Sequence, residues 1–318
     1  MLAFLENTST VYMNKSHAPV TIKPTNIIIA FLILMAFLVG TTVNGLFLWV
    51  LGLKMKRTVN TVWFLHLILS YLMSCSLMPF FAVYILHDFH WILGRAMCKI
   101  IKSFFSVVMF TTVFLLTIIS LDRYLFTCHS IWSQHYRTIP RARKLIAGVW
   151  VTSLALSAPS LVFLETQEVD NKIQCDHTFA FSMDWDKGRF HLAFFLAVFL
   201  LAFLLPFLII LGCCCWIGHE MKKKSLVKTG KPFRVLVASV ASFFICWLPY
   251  HLYHASLVFR VASERTVHIL WDIAAAAGCF NICCTPIIYL FVGEKFQQVF
   301  KTSVLSLLNK GFMDYSIP

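Results

Sequence analysis

Residues Cys98 to Tyr124 read CKIIKSFFSVVMFTTVFLLTIISLDRY. Charge stands only at the two ends, Lys99 and Lys102 near the start and Asp122 and Arg123 near the close. Every residue between is apolar or carries a small hydroxyl. At 1.5 Å per helical residue, Cys98 and Arg123 stand about 38 Å apart, more than the roughly 30 Å hydrocarbon core of a bilayer. The stretch therefore reads as one membrane-spanning helix with its ends in different compartments.

The rest of the chain supports that reading. Of its 318 residues, 59% are hydrophobic and only 13% charged, with 31 Phe, which excludes a soluble composition. A formal charge of +13 could point to nucleic acid, but the basic residues fall in short clusters between apolar runs. That distribution sets membrane topology and argues against a nucleic-acid partner.

Six more runs flank the first. In order they are about Asn26–Leu53, Val59–Leu86 with Pro79 late in it, the quoted third, and a fourth through Trp150 to Leu164. The fifth is Arg189–Trp216 with Pro206, the sixth runs through Cys246-Trp247-Leu248-Pro249 to about Val258, and the seventh is Val267–Phe291 with Pro286. The expected fold is an all-α membrane protein, a seven-transmembrane helix bundle over residues 26–291. Residues 1–25 form an extracellular N-terminus in this reading. Residues 292–318 supply a short tail, in which Phe296, Val299, Phe300, Val304 and Leu307 recur at the spacing of an amphipathic surface helix.

Lys and Arg gather after spans 1, 3 and 5, which places those loops in the cytoplasm and the N-terminus outside. The acceptor triplets at Asn7 and Asn14 then lie where glycosylation occurs. Residues 1–25 lack the apolar core and cleavage site of a signal peptide. Of 11 Cys, most lie inside apolar runs and read as packing, the Cys213-Cys214-Cys215 run included. Cys98 and Cys175 are the two expected at the outer face, in an oxidising compartment, and are assigned to a disulfide.

No catalytic constellation emerges, so the chain is not read as an enzyme. The 12 His and 11 Cys show no pair with both ligand spacing and a polar setting, so neither a metal nor a cofactor is expected. Acids at membrane depth are missing, which weakens a transporter reading.

The landmarks in order are Asn44 in GTTVNG, Leu67 in HLILS, Asp122-Arg123-Tyr124, Trp150, Pro206, Trp247-Leu248-Pro249 and Pro286-Ile287-Ile288-Tyr289. Together they resemble rhodopsin-like (class A) G protein-coupled receptors over nearly the whole length. TVNTVWFLHL, Trp91-Ile92-Leu93-Gly94, ISLDRYLFTCHSIWSQHYRT and CWLPYHLYH resemble the chemoattractant branch, which holds formyl-peptide, anaphylatoxin, chemerin and prostaglandin D2 type 2 receptors. The segments HLILSY and IYLFVGEKF look closest to an orphan member of it.

The resemblance implies a plasma-membrane receptor for a chemoattractant-like ligand, a peptide or a lipid acid. Its partners would be a heterotrimeric G protein, of the inhibitory type by analogy, then arrestin and membrane lipids. Asp122, Arg123, Tyr124 and Tyr289 would form the G protein switch, with Arg123 held at rest by Asp122. A snorkelling interface Arg is the plainer reading of Arg123. Trp247, Pro249 and Pro286 would form the activation core, or Trp247 is simply a core Trp at a proline kink. The ligand pocket would be lined by Lys102, Phe105, Tyr250, His251, His254, Trp271 and Asp272. Phe105 stands where amine receptors carry aspartate, and Cys279 in the region of the retinal lysine of opsins, which argues against both ligands. Lys102 and His254, with Arg260 or Arg265 nearby, favour an anionic group, unless Lys102 snorkels outward.

Four positions depart from the family pattern. Tyr71 replaces the mid-helix-2 aspartate, and Thr285 stands before the helix-7 proline. Cys214 replaces the helix-5 tyrosine, and Ser130 the loop proline after Asp-Arg-Tyr. The first two should abolish a sodium site. Tyr71 and Cys214 also open an alternative, a ligand-binding decoy with weak or no G protein coupling; a transporter or channel ranks third.

Overall fold

The computed structural model describes residues 23–169, 171–177, 185–223, 230–260, 262–290, 298–303 and 305–306. The first span is α1 (Pro24–Trp49), which opens on Pro24 in the first turn and closes through a π-helical turn, Val50–Lys54. The second, α2 (Val59–Leu86), has the expected bounds. Thr58 caps it reciprocally: the Thr61 amide donates to the Thr58 hydroxyl and the Thr58 amide to the Thr61 hydroxyl. The quoted stretch lies within α3 (Gly94–Cys128), one turn longer at each end than the sequence bounds.

A short helix, α4 (Ser130–Tyr136), follows inside the loop after the third span. The fourth span, α5 (Ile139–Phe163), runs through Trp150 as expected, and Pro140 stands in its first turn. Arg141, Arg143 and Lys144 therefore ride its first turns. The polar loop after it contains a hairpin, β1 (Leu164–Val169) against β2 (Lys172–His177), antiparallel with Val169 opposite Lys172. Asn171 takes φ 62° in the two-residue turn, a conformation Asn tolerates.

The fifth span is α6 (Trp185–Phe199), a π-helical turn Leu200–Leu204, and α7 (Leu205–Lys223). Pro206 has no N–H for the carbonyl four residues back, and the ladder shifts by one residue just before it, with Leu205 N–H donating to the Leu200 carbonyl. The sixth and seventh spans are α8 (Gly230–Phe259) and α9 (Glu264–Leu290). Six of these spans are long and apolar enough to cross a membrane by length and composition, and α8, at 30 residues, supplies the seventh.

The largest buried cluster joins α2, α3, α5, α7 and α8 around Leu67, Tyr71, Leu116, Ile119 and Phe243. Within residues 298–303, which are helical as expected of a surface helix, the Phe300 ring meets Phe47 of α1 at 5.1 Å. α1 and α2 approach closely at Gly40, where a Cβ would fall 2.9 Å from the Cys75 sulfur. In the fifth span only 17% of the most apolar stretch is buried inside the protein, so its apolar surface needs lipid around it.

Candidate functional site

The Cys98 end of the bundle is roofed by the hairpin. Cys98 and Cys175 form a disulfide, with Cα atoms 5.7 Å apart and both residues fully buried. The Trp91 amide donates to the Ile173 carbonyl at 2.7 Å, and the Ile173 amide to His90 Nδ1 at 3.1 Å, so the hairpin also rests on the loop after α2. Two carboxylates brace this roof. Glu165 of β1 accepts from Arg95 and Lys99 of α3 at 2.6–2.9 Å, and those hydrogen bonds hold its carboxyl below the usual range. Asp88, at φ 51°, accepts from Lys172 of β2 at 2.5 Å, from Lys23 at 3.1 Å and from Asn26 of α1 at 3.0 Å. Partial burial alone would raise its pKa, but these donors hold it at about 2. Neither brace is legible in the sequence; a loop acid gives no sign there of which distant lysine it will meet.

Beneath the roof lies an aromatic layer. Phe105 of α3 meets Trp247 and Tyr250 of α8, each at 5.8 Å between ring centres. His254 packs edge-on against Tyr250 at 4.5 Å. His251, 3% exposed, turns towards the fifth span and lies between Phe199 at 5.5 Å and Phe203 at 4.8 Å. Trp271 sits apart from this layer, edge-on to Phe89 at 5.2 Å and against the cluster formed by α1 and α2. Asp272 is half-buried one turn from His268. Lys102 is half-buried on α3 with no hydrogen bond or ion pair among the described residues. The structure thus joins Phe105, Trp247, Tyr250 and His254 directly, with His251 behind them and Trp271 to one side.

Midway down the bundle, Asn44 donates to the Gly40 carbonyl at 2.8 Å and to the Ile282 carbonyl at 3.3 Å, tying α1 to α9. The Thr112 hydroxyl lies 3.0 Å from Ser70 Oγ, and Tyr71 is 1% exposed. Trp150 donates to His66 Nδ1 at 3.4 Å, joining α5 to α2. Asn281, 2% exposed on α9, is a buried polar residue outside every motif named above.

At the Arg123 end the structure departs from expectation. Asp122 is held by Arg137, whose Nε and Nη2 each donate to its carboxylate at 2.9 Å. The same guanidinium donates to Asn60 of α2 and lies over the Phe126 ring at 5.3 Å. No ion pair joins Asp122 to Arg123 among the described residues; α4 turns the chain so that Arg137 occupies the carboxylate. Arg123 is half-buried beside it. Tyr124 Oη meets His129 Nε2 at 3.2 Å. The side chains of Thr285, Pro286 and Tyr289 lie outside the described residues, as do Asn7 and Asn14.

This bundle can be set beside known proteins. A family model described as 7 transmembrane receptor (rhodopsin family) matches residues 43–289. The Homo sapiens protein named probable G-protein coupled receptor 33 is 41% identical, the match covering 98% of this chain and 96% of that protein. Its Mus musculus counterpart is 42% identical over 98% and 93%. Chemerin-like receptor 1 of Mus musculus is 33% identical over 85% of this chain and 76% of its own length, in keeping with the branch read from the sequence. With seven spans, a bridged roof and these likenesses, the chain belongs to the rhodopsin family of seven-transmembrane receptors, multi-pass membrane proteins and not enzymes.

Proposed function

We propose that the protein is a plasma-membrane receptor whose N-terminus and hairpin face outward, and which passes ligand binding to a heterotrimeric G protein of the inhibitory type. The observation that carries this reading is the Arg123 end: a half-buried arginine with no ion pair to Asp122, next to a carboxylate already satisfied by Arg137. A guanidinium in that state has donors to offer an incoming partner at the membrane edge. The relatives named as G-protein coupled receptors support the same assignment.

The ligand reading is a chemoattractant-like peptide carboxylate or lipid acid. Lys102 supplies a cation above an aromatic floor of Phe105, Trp247 and Tyr250, with His254 alongside. A relative named as a chemerin-like receptor supports the chemoattractant-like reading. His251 and Trp271 support the pocket from behind, and Asp272 offers a counter-charge near its top. Tyr289, Pro286 and the segment 292–318 keep the roles implied by the resemblance, and arrestin follows as a second cytoplasmic partner.

A guanine-nucleotide exchange assay on the purified receptor with a panel of heterotrimers tests the coupling. Basal or ligand-driven exchange on inhibitory-type heterotrimers is expected. Exchange on no heterotrimer, with ligand binding intact, would leave the decoy reading, which the Cys214 and Tyr71 departures favour. Peptides with a free C-terminal carboxylate should outcompete their amides, and equal competition would remove Lys102 from the pocket.

A further inference from the structure

On the Arg123 half of the bundle, α3 and α7 leave a groove of about 250 Å³ lined by Leu121, Tyr124, Leu208, Gly212, Cys213 and Trp216. Leu208 and Trp216 are 55% and 57% exposed, so the groove opens to the membrane and not to the bundle interior. A Cβ built on Gly212 would meet nothing within 4 Å; the side chain that residue lacks is part of the empty space. From Leu208 to Trp216 the groove runs roughly 12 Å along the helix, the shape of a chain and not of a compact ring system.

Its lower rim is basic. Gly212, Trp216, His219 and Lys223 follow one another at four, three and four residues, which places them on one stripe of α7. Lys223 stands about 10 Å beyond Trp216, with Lys222 beside it. The run Glu220–Lys224 holds three lysines against one glutamate. The Trp216 ring lies 6.4 Å from that of His219, and Trp is a residue enriched where hydrocarbon meets headgroups.

We propose that this groove binds one acyl chain of an anionic glycerophospholipid, whose headgroup phosphate rests on Lys222 and Lys223. The uncharged lining, exposed at Leu121, Leu208, Gly212 and Trp216, selects hydrocarbon, and the lysines select negative charge at headgroup level. The site is separate from the ligand pocket. It rests on the orientation proposed above only for the leaflet, which would be the cytoplasmic one. The bound chain touches Tyr124 and Cys213, neighbours of Arg123 and Cys214, so lipid composition would bear on the helix pair that carries the switch.

The test uses the full-length receptor in phosphatidylcholine nanodiscs doped with phosphatidylserine or phosphatidylcholine carrying a brominated acyl chain. Tryptophan quenching is read as the difference between the native chain, with its nine Trp, and Trp216→Phe. Brominated phosphatidylserine should quench Trp216 at a roughly tenfold lower mole fraction than brominated phosphatidylcholine. Gly212→Leu fills the groove with a better helix former and should remove that preference. Lys222→Gln with Lys223→Gln should lower the serine lipid to the level of the choline lipid. Equal quenching by both lipids in the native chain would mean ordinary lipid solvation and overturn the site. An unchanged preference in Gly212→Leu would overturn the groove as its location.

Discussion

Arg137 donates two parallel hydrogen bonds to Asp122, both at 2.9 Å, and so takes the carboxylate that the neighbouring Arg123 would otherwise hold. Both partners are largely buried, at 19% and 10% side-chain exposure. A bidentate guanidinium–carboxylate pair is directional, and losing one partner leaves a poorly solvated charge. Arg137→Ala should hand Asp122 to Arg123 and lower basal nucleotide exchange several-fold. Arg123→Ala should remove exchange while leaving surface expression nearly unchanged. Asp122→Asn, added to Arg137→Ala, should restore basal exchange, since Arg123 then loses its new partner. Equal exchange in Arg137→Ala and the native receptor would show that the clasp does not govern Arg123.

The bridge between Cys98 and Cys175 closes a separation of 77 residues and lies buried under the hairpin. Either Cys→Ser change should cost about 2–5 kcal/mol and most surface expression. The double change should cost no more than the worse single one, because one bond is lost in each case. Surface-antibody counts and thermal unfolding of the purified variants check this, and independent, additive losses would contradict it.

Asp88 joins three segments, and its carboxyl is held at about 2, below an unfolded value near 4. A depressed carboxyl stabilises the fold above the unfolded pKa, and that contribution disappears as pH falls from about 4 to 2. After solvent screening the stabilisation is about 1 kcal/mol. Asp88→Asn should therefore lower thermal stability at pH 7 and flatten its decline between pH 4 and 2. A parallel decline in both proteins would remove Asp88 as the cause.

Gly40 lets α1 sit directly against Cys75 of α2, and a Cβ at that position would stand only 2.9 Å from the sulfur, inside van der Waals contact. Gly40→Ala should destabilise by about 1–3 kcal/mol through overpacking. Adding Cys75→Ala should recover much of that loss, because the clash partner shrinks. No recovery in the double variant would place the conflict elsewhere along α1.

Tyr71 fills the middle of the bundle where a carboxylate could have balanced a bound cation, and the Thr112 hydroxyl beside it is engaged with Ser70 and the Val108 carbonyl. Among the described residues no acid lies at that depth. Burying an uncompensated ion there is very costly, so basal exchange should respond equally to sodium and to a bulky cation at matched ionic strength. Tyr71→Asp should create a sodium response if the cavity hydrates the charge, and misfold otherwise. A tenfold sodium-specific effect in the native receptor, about 1.4 kcal/mol, would reveal another source of negative charge.

The number and order of the spans were legible in the chain because a bilayer leaves backbone polar groups no partners except those within a helix, so every crossing must be a long apolar run. The approximate bounds read for α2 coincide with those of the structure, and its start is fixed by a local cap between Thr58 and Thr61. The Cys98–Cys175 pairing was legible because most other cysteines sit inside apolar runs, leaving these two in polar surroundings at the same end of the bundle. What depended on the path of the chain was not. Asp122 stands within reach of two arginines, and only the turn made by α4 decides that Arg137 takes it. His251 follows Tyr250 in sequence, but a helix rotates 100° per residue, and that rotation sends its ring to Phe199 and Phe203. The hairpin lacks an apolar alternation of its own; the disulfide and the Trp91–Ile173 hydrogen bond hold it in place. Apolar periodicity reports which face of a segment avoids water, while the partner of a charged or hydrogen-bonding side chain is settled only by tertiary proximity, because such contacts act over a few ångströms between residues far apart in sequence.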